Sequence, residues 1–446
     1  MTKTIKLALV AAIAMGGTSA FATNGDNLIS TGTQSRAMGG VGIAKSFGAE
    51  SGLSNPALLS SVKNSEVAGS LTFFMPDVAA GSNVQSNAGA ALQGAVGMTV
   101  PITSANSDAD FSIIPEIAFA SRINDNLVYG FSLTGTAGMG VDYSSTTFTP
   151  TDPGNGVFQM KTELALLKVA IPFAYQMDGL SLGVSPILQY GTLQMSHQTF
   201  TGPLASPKSS DTSFGYEVGA SYDFNAVGVD GLTIGAVYKS ELAMTYDNTI
   251  SGSLLAFGMA PGFTQPGVTP ITSGDNLDQP AEMGIGISYA MGQSTIALDY
   301  RNVAWGEAAG YSDFGWEDQD IISVGYEYAT STWAVRVGYN YAESPIKEQD
   351  GNTYGGAVKN FFNLAGFPGI VESHFTLGGG YAIDKKLTLD AAVVYAAEVS
   401  ESFNTNGLAA AAYAFGGGTS PQNVGASSID VTHSQLGITL GLNYKF

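Results

Sequence analysis

The chain has 446 residues, a formal net charge of −20 and charged side chains at only 12% of its positions, against about 25% in ordinary soluble domains. The acidic balance excludes a nucleic-acid-binding protein, because binding to phosphates requires Lys and Arg. There is no cysteine, so disulfides, thiol nucleophiles and cysteine metal sites are excluded. We expect no cofactor and no metal.

The first residues predict export from the cytoplasm. Two lysines precede a short apolar run, Leu7 to Met15, and Ala20-Phe21-Ala22 matches the small-residue pattern of a cleavage site. The run is well short of the roughly 20 residues that a membrane-spanning helix needs. A signal peptide over residues 1–22 is therefore favoured over a membrane anchor, and the mature chain is expected to begin at Thr23.

Residues 23–64 precede the first strand and contain the stretch "AMGGVGIAKSFGAESGLSNPALLSS". Pro56 suits the first position of a short helix that Asn55 caps. The segment is too apolar for a solvated tail. We interpret residues 23–64 as a hatch, that is, a plug with short helices folded inside a barrel. A disordered periplasmic arm is the alternative.

The rest of the chain alternates apolar and polar residues with the period of two that predicts strands, most clearly in the last segment, "HSQLGITLGLNYKF". The links between consecutive strands alternate between short and long, as they do in outer-membrane barrels. The pattern predicts an all-β protein whose residues 65–446 form a 14-stranded antiparallel transmembrane β-barrel. The strand candidates lie near 65–75, 111–122, 127–136, 161–176, 180–197, 212–224, 231–248, 282–291, 294–304, 320–329, 331–342, 372–383, 386–399 and 432–446.

Alternation alone does not separate a membrane barrel from a secreted soluble sandwich. Aromatic residues near the strand ends favour the barrel, because such girdles lie at membrane interfaces. The terminal Phe446 resembles the address that outer-membrane assembly machinery reads. We therefore expect a monomer in a Gram-negative type of outer membrane, in contact with its lipids and lipopolysaccharide.

One family resemblance covers nearly all of the mature chain. Ala37-Met38-Gly39, the acidic Glu50 and Asn55-Pro56-Ala57 resemble the hatch motifs of the FadL family, outer-membrane transporters of long-chain fatty acids and other hydrophobic molecules. The later stretches "LDQPAEMGIGISYAM" and "VRVGYNYAESPI" are similar to barrel motifs of the same family.

The resemblance implies passive, hatch-gated uptake rather than an enzyme. Thr23, Asn24 and Gly25 would form the mobile end, and Asn55-Pro56-Ala57 would anchor the hatch. A kink in the third strand, through Gly130 to Gly140, would offer a sideways exit, although a Gly-rich outer loop is an equal interpretation of that stretch.

The resemblance also implies capture loops and head-group contacts. Apolar residues of the outer links would capture substrate, or would pack on each other as a lid: Leu254, Leu255, Phe257, Phe361, Phe362, Leu364, Phe367, Tyr413 and Phe415. Four basic residues on the predicted lumen face are candidates for binding a carboxylate, or for pairing with Asp299, Glu241 and Glu327: Lys168, Lys239, Arg301 and Arg336. The link between strands 5 and 6 is short, so it cannot form the outer groove of the family's fatty-acid member.

Three other functions compete with fatty-acid uptake. Transport of neutral hydrocarbons or aromatics needs no basic residue in the lumen. A general porin needs an open, charged lumen, against which residues 23–64 argue. A barrel enzyme has only His197, His374 and His433 as histidines, and the sequence ties no serine and acidic residue to any of them.

Overall fold

The computed structural model describes residues 24–147, 155–199, 202–260 and 270–446. The predicted signal peptide and Thr23 lie outside the described residues. Fourteen strands form the wall: β1 Ser65–Ser82, β2 Ser112–Arg122, β3 Leu127–Asp142, β4 Lys161–Ala170 with Phe173–Met177, β5 Leu180–Thr199, β6 Ser209–Asp223, β7 Leu232–Lys239, β8 Glu282–Met291, β9 Ser294–Val303, β10 Gln319–Ala329, β11 Trp333–Ala342, β12 Ser373–Ala382, β13 Leu387–Asn404 and β14 Ser428–Lys445.

Each strand pairs antiparallel with the next along the chain, and the barrel closes because β1 pairs with β14 from Glu66↔Lys445 to Ser82↔Ile429. Closure leaves no edge strand to face lipid, where unpaired backbone groups are costly. Two short strands, Ala105–Asn106 and Gly202–Ala205, extend the sheet at its outer end. The predicted barrel is confirmed, although β1 is longer and β7 shorter than the sequence pattern indicated.

The two faces of the wall differ in polarity. On β14, Leu440 and Leu442 point outward and are 55% and 45% exposed, whereas the inward Gln435, Thr439 and Asn443 are at most 5% exposed. A water-soluble sandwich would show the reverse arrangement. Apolar side chains therefore face lipid and polar side chains face the lumen, as in a membrane barrel.

The helices are short and lie in the lumen or in the long links. They are α1 Thr33–Ala37, α2 Val84–Leu92, α3 Ile250–Leu254, α4 Tyr354–Gly366 and α5 Asn406–Phe415, with 3-10 turns at Gly48–Leu53, Pro56–Ser61, Phe224–Val227, Leu255–Phe257, Ser312–Phe314 and Pro421–Asn423. Within the described part of the chain, no helix combines the length and the apolarity that crossing a membrane requires.

The long links fold over the outer mouth of the barrel. Their apolar side chains form one large cluster with the outer ends of several strands, and its fully buried members include Trp305, Tyr246, Phe361 and Phe362. Packing of this kind closes the mouth with an apolar lid. The short turns lie at the opposite, periplasmic end, where β1 begins and β14 ends.

Candidate functional site

The hatch fills the lumen. From Asn24 onward most of its side chains are buried, and Met38, Val41, Ala57 and Leu59 are 0% exposed. Small residues allow this compact fold. They let α1 and the two 3-10 turns Gly48–Leu53 and Pro56–Ser61 pack directly against the wall. The lumen is thus plugged.

Lumen-facing glycines of the wall form the seat of the hatch. At each of nine of them, a methyl group in place of hydrogen would lie less than 3.0 Å from an atom of the hatch. They are on eight different strands: Gly183, Gly219, Gly235, Gly284, Gly286, Gly325, Gly338, Gly378 and Gly441. The backbone of the hatch can approach the wall only because these side chains are absent.

Asn55-Pro56-Ala57 occupies part of this seat. The Asn55 side chain accepts a hydrogen bond from the Ala57 backbone N–H at 3.0 Å and donates one to the Ile43 carbonyl at 2.8 Å. The expected cap with Pro at the first helical position is therefore present. It joins two parts of the hatch backbone directly above Gly219.

A buried ion pair ties α1 to the wall. The Arg36 guanidinium bonds the Glu116 carboxylate on β2 at 2.6 and 2.9 Å, and both side chains are 3% exposed. Ser70 and Thr134 also donate to Glu116, at 2.9 and 3.1 Å. Glu116 was not predicted from the sequence as a functional residue. The signal that could have identified it is a single acidic residue at an inward-facing position of a strand.

Two of the four predicted basic residues hold the hatch. Arg336 bonds Glu327 and Asp390 at 2.7 and 2.8 Å and also reaches Gln34 of the hatch at 3.0 Å. Arg301 donates to the Ile29 carbonyl at 2.8 Å. Arg336 therefore pairs with Glu327, the alternative that the sequence left open for it.

The first residues of the hatch, Asn24–Thr31, form an arm that rises toward the lid. The Asp26 carboxylate accepts hydrogen bonds from the Tyr311 hydroxyl and from the Gln279 amide. On the wall, the β3 residue Gly138 donates its backbone N–H to the Asp26 carbonyl at 3.2 Å, and Leu28 donates to the Thr136 carbonyl at 3.3 Å.

Burial of the arm affects two of its polar side chains, the Asp26 carboxyl group and the Asn24 amide. Desolvation raises the pKa of Asp26 to about 6, although the bonds from Tyr311 and Gln279 oppose the shift. Asn24 is fully buried, and its side-chain amide finds no hydrogen-bond partner among the described residues. A buried amide without partners is costly. Release of the arm into water would relieve both costs.

Gly25 lies against an aromatic group. Its φ is +66°, and a Cβ there would meet the ring of Trp305. The three rings of this group pack against one another in pairs, with ring centroids 4.7 to 5.2 Å apart: Trp305, Tyr311 and Trp316. Only glycine allows the arm to reach this aromatic group, which gives Gly25 a physical role at the predicted mobile end.

An apolar cavity, here called the upper pocket, lies beyond the aromatic group, with about 390 Å³ of free space including its opening. It contains no charged side chain among its lining residues, which are Met139, Leu193, Met195, Ile250, Leu277, Tyr311, Phe314, Trp316, Asn363 and Phe367. Such a surface suits an uncharged, hydrophobic ligand or the apolar tail of an amphiphile.

A second cavity, here called the lower cavity, lies between the arm and the wall, with about 860 Å³ of free space including its opening. Lys168, Lys239 and Arg301 line it together with Glu282. Lys239 bonds Glu282 at 2.9 Å, with Arg301 3.7 Å from the same carboxylate. Neither cation pairs with Glu241 or Asp299, which the sequence had suggested as partners.

Lys168 differs from the other cations of the lower cavity. Its side chain is 8% exposed, and the described residues provide no hydrogen bond or ion pair to its ammonium group. An ammonium group that is free to bind an anion thus faces the cavity.

The predicted capture residues fall into two groups. Leu254, Phe257, Phe361, Phe362 and Leu364 are buried in the lid, and Tyr413 is 6% exposed. Phe367 lines the upper pocket. Only Leu255 and Phe415 are exposed, at 52% and 78%. The apolar links therefore pack on each other, as one of the two alternatives held, and two residues stay at the surface.

The third strand is irregular where the arm contacts it. Its register against β4 shifts between Gly135 and Ala137, and β4 itself is interrupted between Ala170 and Phe173. Thr136, at the shift, lines the lower cavity. Because β3 continues to Asp142, Gly138 and Gly140 belong to a strand and not to an outer loop.

An antiparallel barrel with an apolar outer face, a plugged lumen and an apolar pocket defines an outer-membrane transport protein. Comparison with known families supports this class: the family model of "Outer membrane protein transport protein (OMPP1/FadL/TodX)" matches residues 7–446. The chain belongs to this family. It is a transporter of the Gram-negative outer membrane from a family that handles hydrophobic compounds, and not an enzyme.

Solved structures share the fold at low sequence identity. A FadL homologue of Pseudomonas aeruginosa is 16% identical with a TM-score of 0.62, over 95% of this chain and 100% of that one. The Pseudomonas putida toluene transporter TodX is 16% identical with a TM-score of 0.63, over 95% and 100%. The Ralstonia pickettii toluene transporter TbuX is 18% identical with a TM-score of 0.56, over 94% and 99%. No curated protein matches the sequence.

Proposed function

We propose that the protein takes up long-chain fatty acids or similar hydrophobic acids by passive diffusion, and that the arm gates the path. In this proposal residues 23–64 form the hatch and residues 65–446 the barrel. The observation that carries the proposal is the position of Asp26. One of its hydrogen-bond donors, Tyr311, lines the upper pocket, and the other, Gln279, lines the lower cavity.

The arm therefore separates two cavities of different chemistry. A hydrophobic tail gains free energy on leaving water for the upper pocket, at about 25 cal/mol per Å² of buried apolar area. A ligand that displaces Tyr311 weakens the hold on Asp26. The arm then swings aside, and the ligand reaches the lower cavity, where the Lys168 ammonium attracts its carboxylate.

The exit in this proposal lies sideways through the wall. The lower cavity touches Thr136, at the register shift of β3, and also Ile187 of β5, which pairs with Ala170 just before the interruption in β4. Fewer ladder hydrogen bonds hold the two strands together there, which favours local opening. Asn55-Pro56-Ala57 keeps the body of the hatch seated, so that the barrel does not become an open channel.

Lys168 is the residue that tests the substrate class. In Lys168→Met, we expect oleate uptake to fall about tenfold, since a hydrogen bond to a charged group contributes about 1.5–3 kcal/mol, with no change for toluene. Lys161→Met, on the same strand but paired with Asp142 outside the cavity, is the control. Unchanged oleate uptake in Lys168→Met would remove the carboxylate from the proposal.

Transport of neutral aromatic compounds is the second candidate. The absence of charged groups from the lining of the upper pocket, together with Tyr311, Phe314 and Trp316 on its wall, favours it. Toluene uptake by the wild type with no oleate uptake would select it. A general porin is the third, and large steady conductance of the purified protein in bilayers would select that one.

A further inference from the structure

Two outer links build one projection above the barrel seam, here called the knob. It consists of α2 with residues 93–107 and of α5 with residues 416–427. The two halves interlock: the Gly97 backbone donates to the Asn423 carbonyl at 2.7 Å, and Asn87 donates to the Ala426 carbonyl at 2.8 Å. The knob is therefore a folded unit.

The knob is uncharged in a strongly acidic chain. Residues 83–107 and 404–429 contain no Asp, Glu, Lys or Arg, while the whole chain has a net charge of −20. Two other outer links differ: residues 240–281 and 304–318 each contain four acidic residues and no basic one. An anionic amphiphile that approaches the outer surface thus meets less electrostatic repulsion at the knob than at those two links.

Large apolar side chains of the knob face solvent. Val96 is 65% exposed, Met98 54%, Leu92 45% and Phe415 78%. Leu92 packs beside Gly416, the residue after Phe415, which brings both sides of the knob together. Contiguous exposed apolar surface on a soluble part of a protein marks a binding site.

Membrane lipid does not account for this surface. Below the knob, the outward side chains of β1, β13 and β14 change from apolar to polar: Asp77, Ser400, Ser402, Asp430, Thr432 and Ser434. The outer end of β14 is its first residue, Ser428, and the outward-facing apolar residue nearest to that end is Leu436, eight residues along the strand. At about 3.3 Å per residue, the knob lies well above the apolar band.

The surface is continuous with the interior. Ala88, Ala91 and Tyr413 form the small core of the knob, and Ala412 and Val424 pack both on this core and on the large cluster of the lid. That cluster includes Met139 and Met195, which line the upper pocket. Apolar contacts therefore run without interruption from the exposed knob to the pocket.

We propose that the knob is the first capture site for the transported compound and binds it through the apolar side chains Leu92, Val96, Met98 and Phe415. This inference rests on the proposed uptake function. It places the capture step on the links that join β1 to β2 and β13 to β14. The short link between β5 and β6 leaves that role open.

Uptake kinetics test the capture site. In Val96→Ser/Met98→Ser/Phe415→Ser, the half-saturation concentration should rise about tenfold while the maximal rate stays unchanged, because the pocket and the arm are intact. Val227→Ser/Val229→Ser, which removes side chains 61% and 46% exposed on a periplasmic turn, should change neither. An unchanged half-saturation concentration, or a fall in maximal rate alone, overturns the proposal.

A fluorescence measurement separates capture from transport. The chain has no cysteine, so an environment-sensitive dye attaches to Phe415→Cys alone. We expect its emission to shift to the blue when oleate or toluene is added to the labelled protein in lipopolysaccharide-containing vesicles. The blue shift is expected even if the proposed uptake function is wrong. If no blue shift occurs, the capture site is overturned, even when uptake is normal.

Two further outcomes with the Phe415→Cys variant overturn the proposal. Emission that is already blue in vesicles with lipopolysaccharide, and red in vesicles without it, shows that lipid covers the knob. Efficient formation of disulfide-linked dimers by the unlabelled variant shows that a second copy of the chain covers it.

Discussion

The Tyr311 hydroxyl donates a hydrogen bond to the Asp26 carboxylate, and this bond joins the lining of the apolar upper pocket to the arm of the hatch. Tyr311 is also packed between Trp305 and Trp316. A ligand in the pocket therefore cannot move Tyr311 without weakening the hold on Asp26. In the proposed mechanism, binding of the ligand and gating by the arm therefore depend on one side chain.

Removal of this bond should favour the open arm. In Tyr311→Phe the arm loses a hydrogen bond to a carboxylate, which contributes about 1.5–3 kcal/mol, so the maximal uptake rate is expected to rise about tenfold or more. Tyr300→Phe is the control, because it removes a similar bond, from Tyr300 to Asp320 at 2.7 Å, on the outer face of the barrel. Equal rates in wild type and Tyr311→Phe would show that this bond does not hold the gate.

Uptake should depend on pH through Asp26. Its pKa is raised to about 6 with the arm in place, and in water it returns to the ordinary value of 3.8. The closed arm therefore binds the proton more tightly. Acid favours closure, and the closed state is destabilised as the pH rises through 4 to 6, by about 3 kcal/mol in full.

The ratio of wild-type to Asp26→Asn uptake measures this effect, because ionisation of the substrate cancels in the ratio. It should rise between about pH 4 and pH 6, the range between the ordinary and the raised pKa, and stay constant above that range. A ratio that is flat over the whole range would mean that Asp26 keeps one protonation state in both positions of the arm.

Replacement of a glycine of the seat by alanine should weaken the contact between the hatch and the wall. Gly441 on β14 faces Thr33 of the hatch, and a Cβ there would lie less than 3.0 Å from its side chain. An inserted methyl in a tight contact costs about 1–3 kcal/mol, so Gly441→Ala should loosen the hatch and admit hydrophilic antibiotics through the outer membrane.

Gly437 provides the matched control for this experiment. It lies on the same strand and also faces inward, but its nearest neighbour would be 3.8 Å from a Cβ. Gly437→Ala should therefore keep the wild-type permeability. Both variants should remain folded barrels whose electrophoretic mobility changes on heating, and equal permeability of the two would contradict a seat made by missing side chains.

The barrel could be predicted from the sequence because its signal is local. Each strand alternates apolar and polar residues along a short stretch, as β14 does from Leu436 to Tyr444. The hatch could be recognised because a Gly-rich, apolar segment has no place in solvent. Its position inside the lumen then followed from the size of the barrel.

Contacts between the hatch and the wall could not be predicted in the same way. Arg36 and Glu116 are 80 residues apart, and only the register of the closed sheet brings them together. The lid shows a similar limit. Phe362 and Phe415 lie in equally apolar links, yet the first is 1% and the second 78% exposed. Which apolar link is covered depends on the other links above the mouth.

The central claim is that uptake requires movement of the arm while the hatch stays seated. The arm lies against β3, where Leu28 bonds Thr136, and the chain has no native cysteine. In Leu28→Cys/Thr136→Cys, a reducible cross-link between the two thiols should abolish uptake of oleate and toluene, and reduction should restore it. Uptake at the wild-type rate with the cross-link complete would contradict the claim.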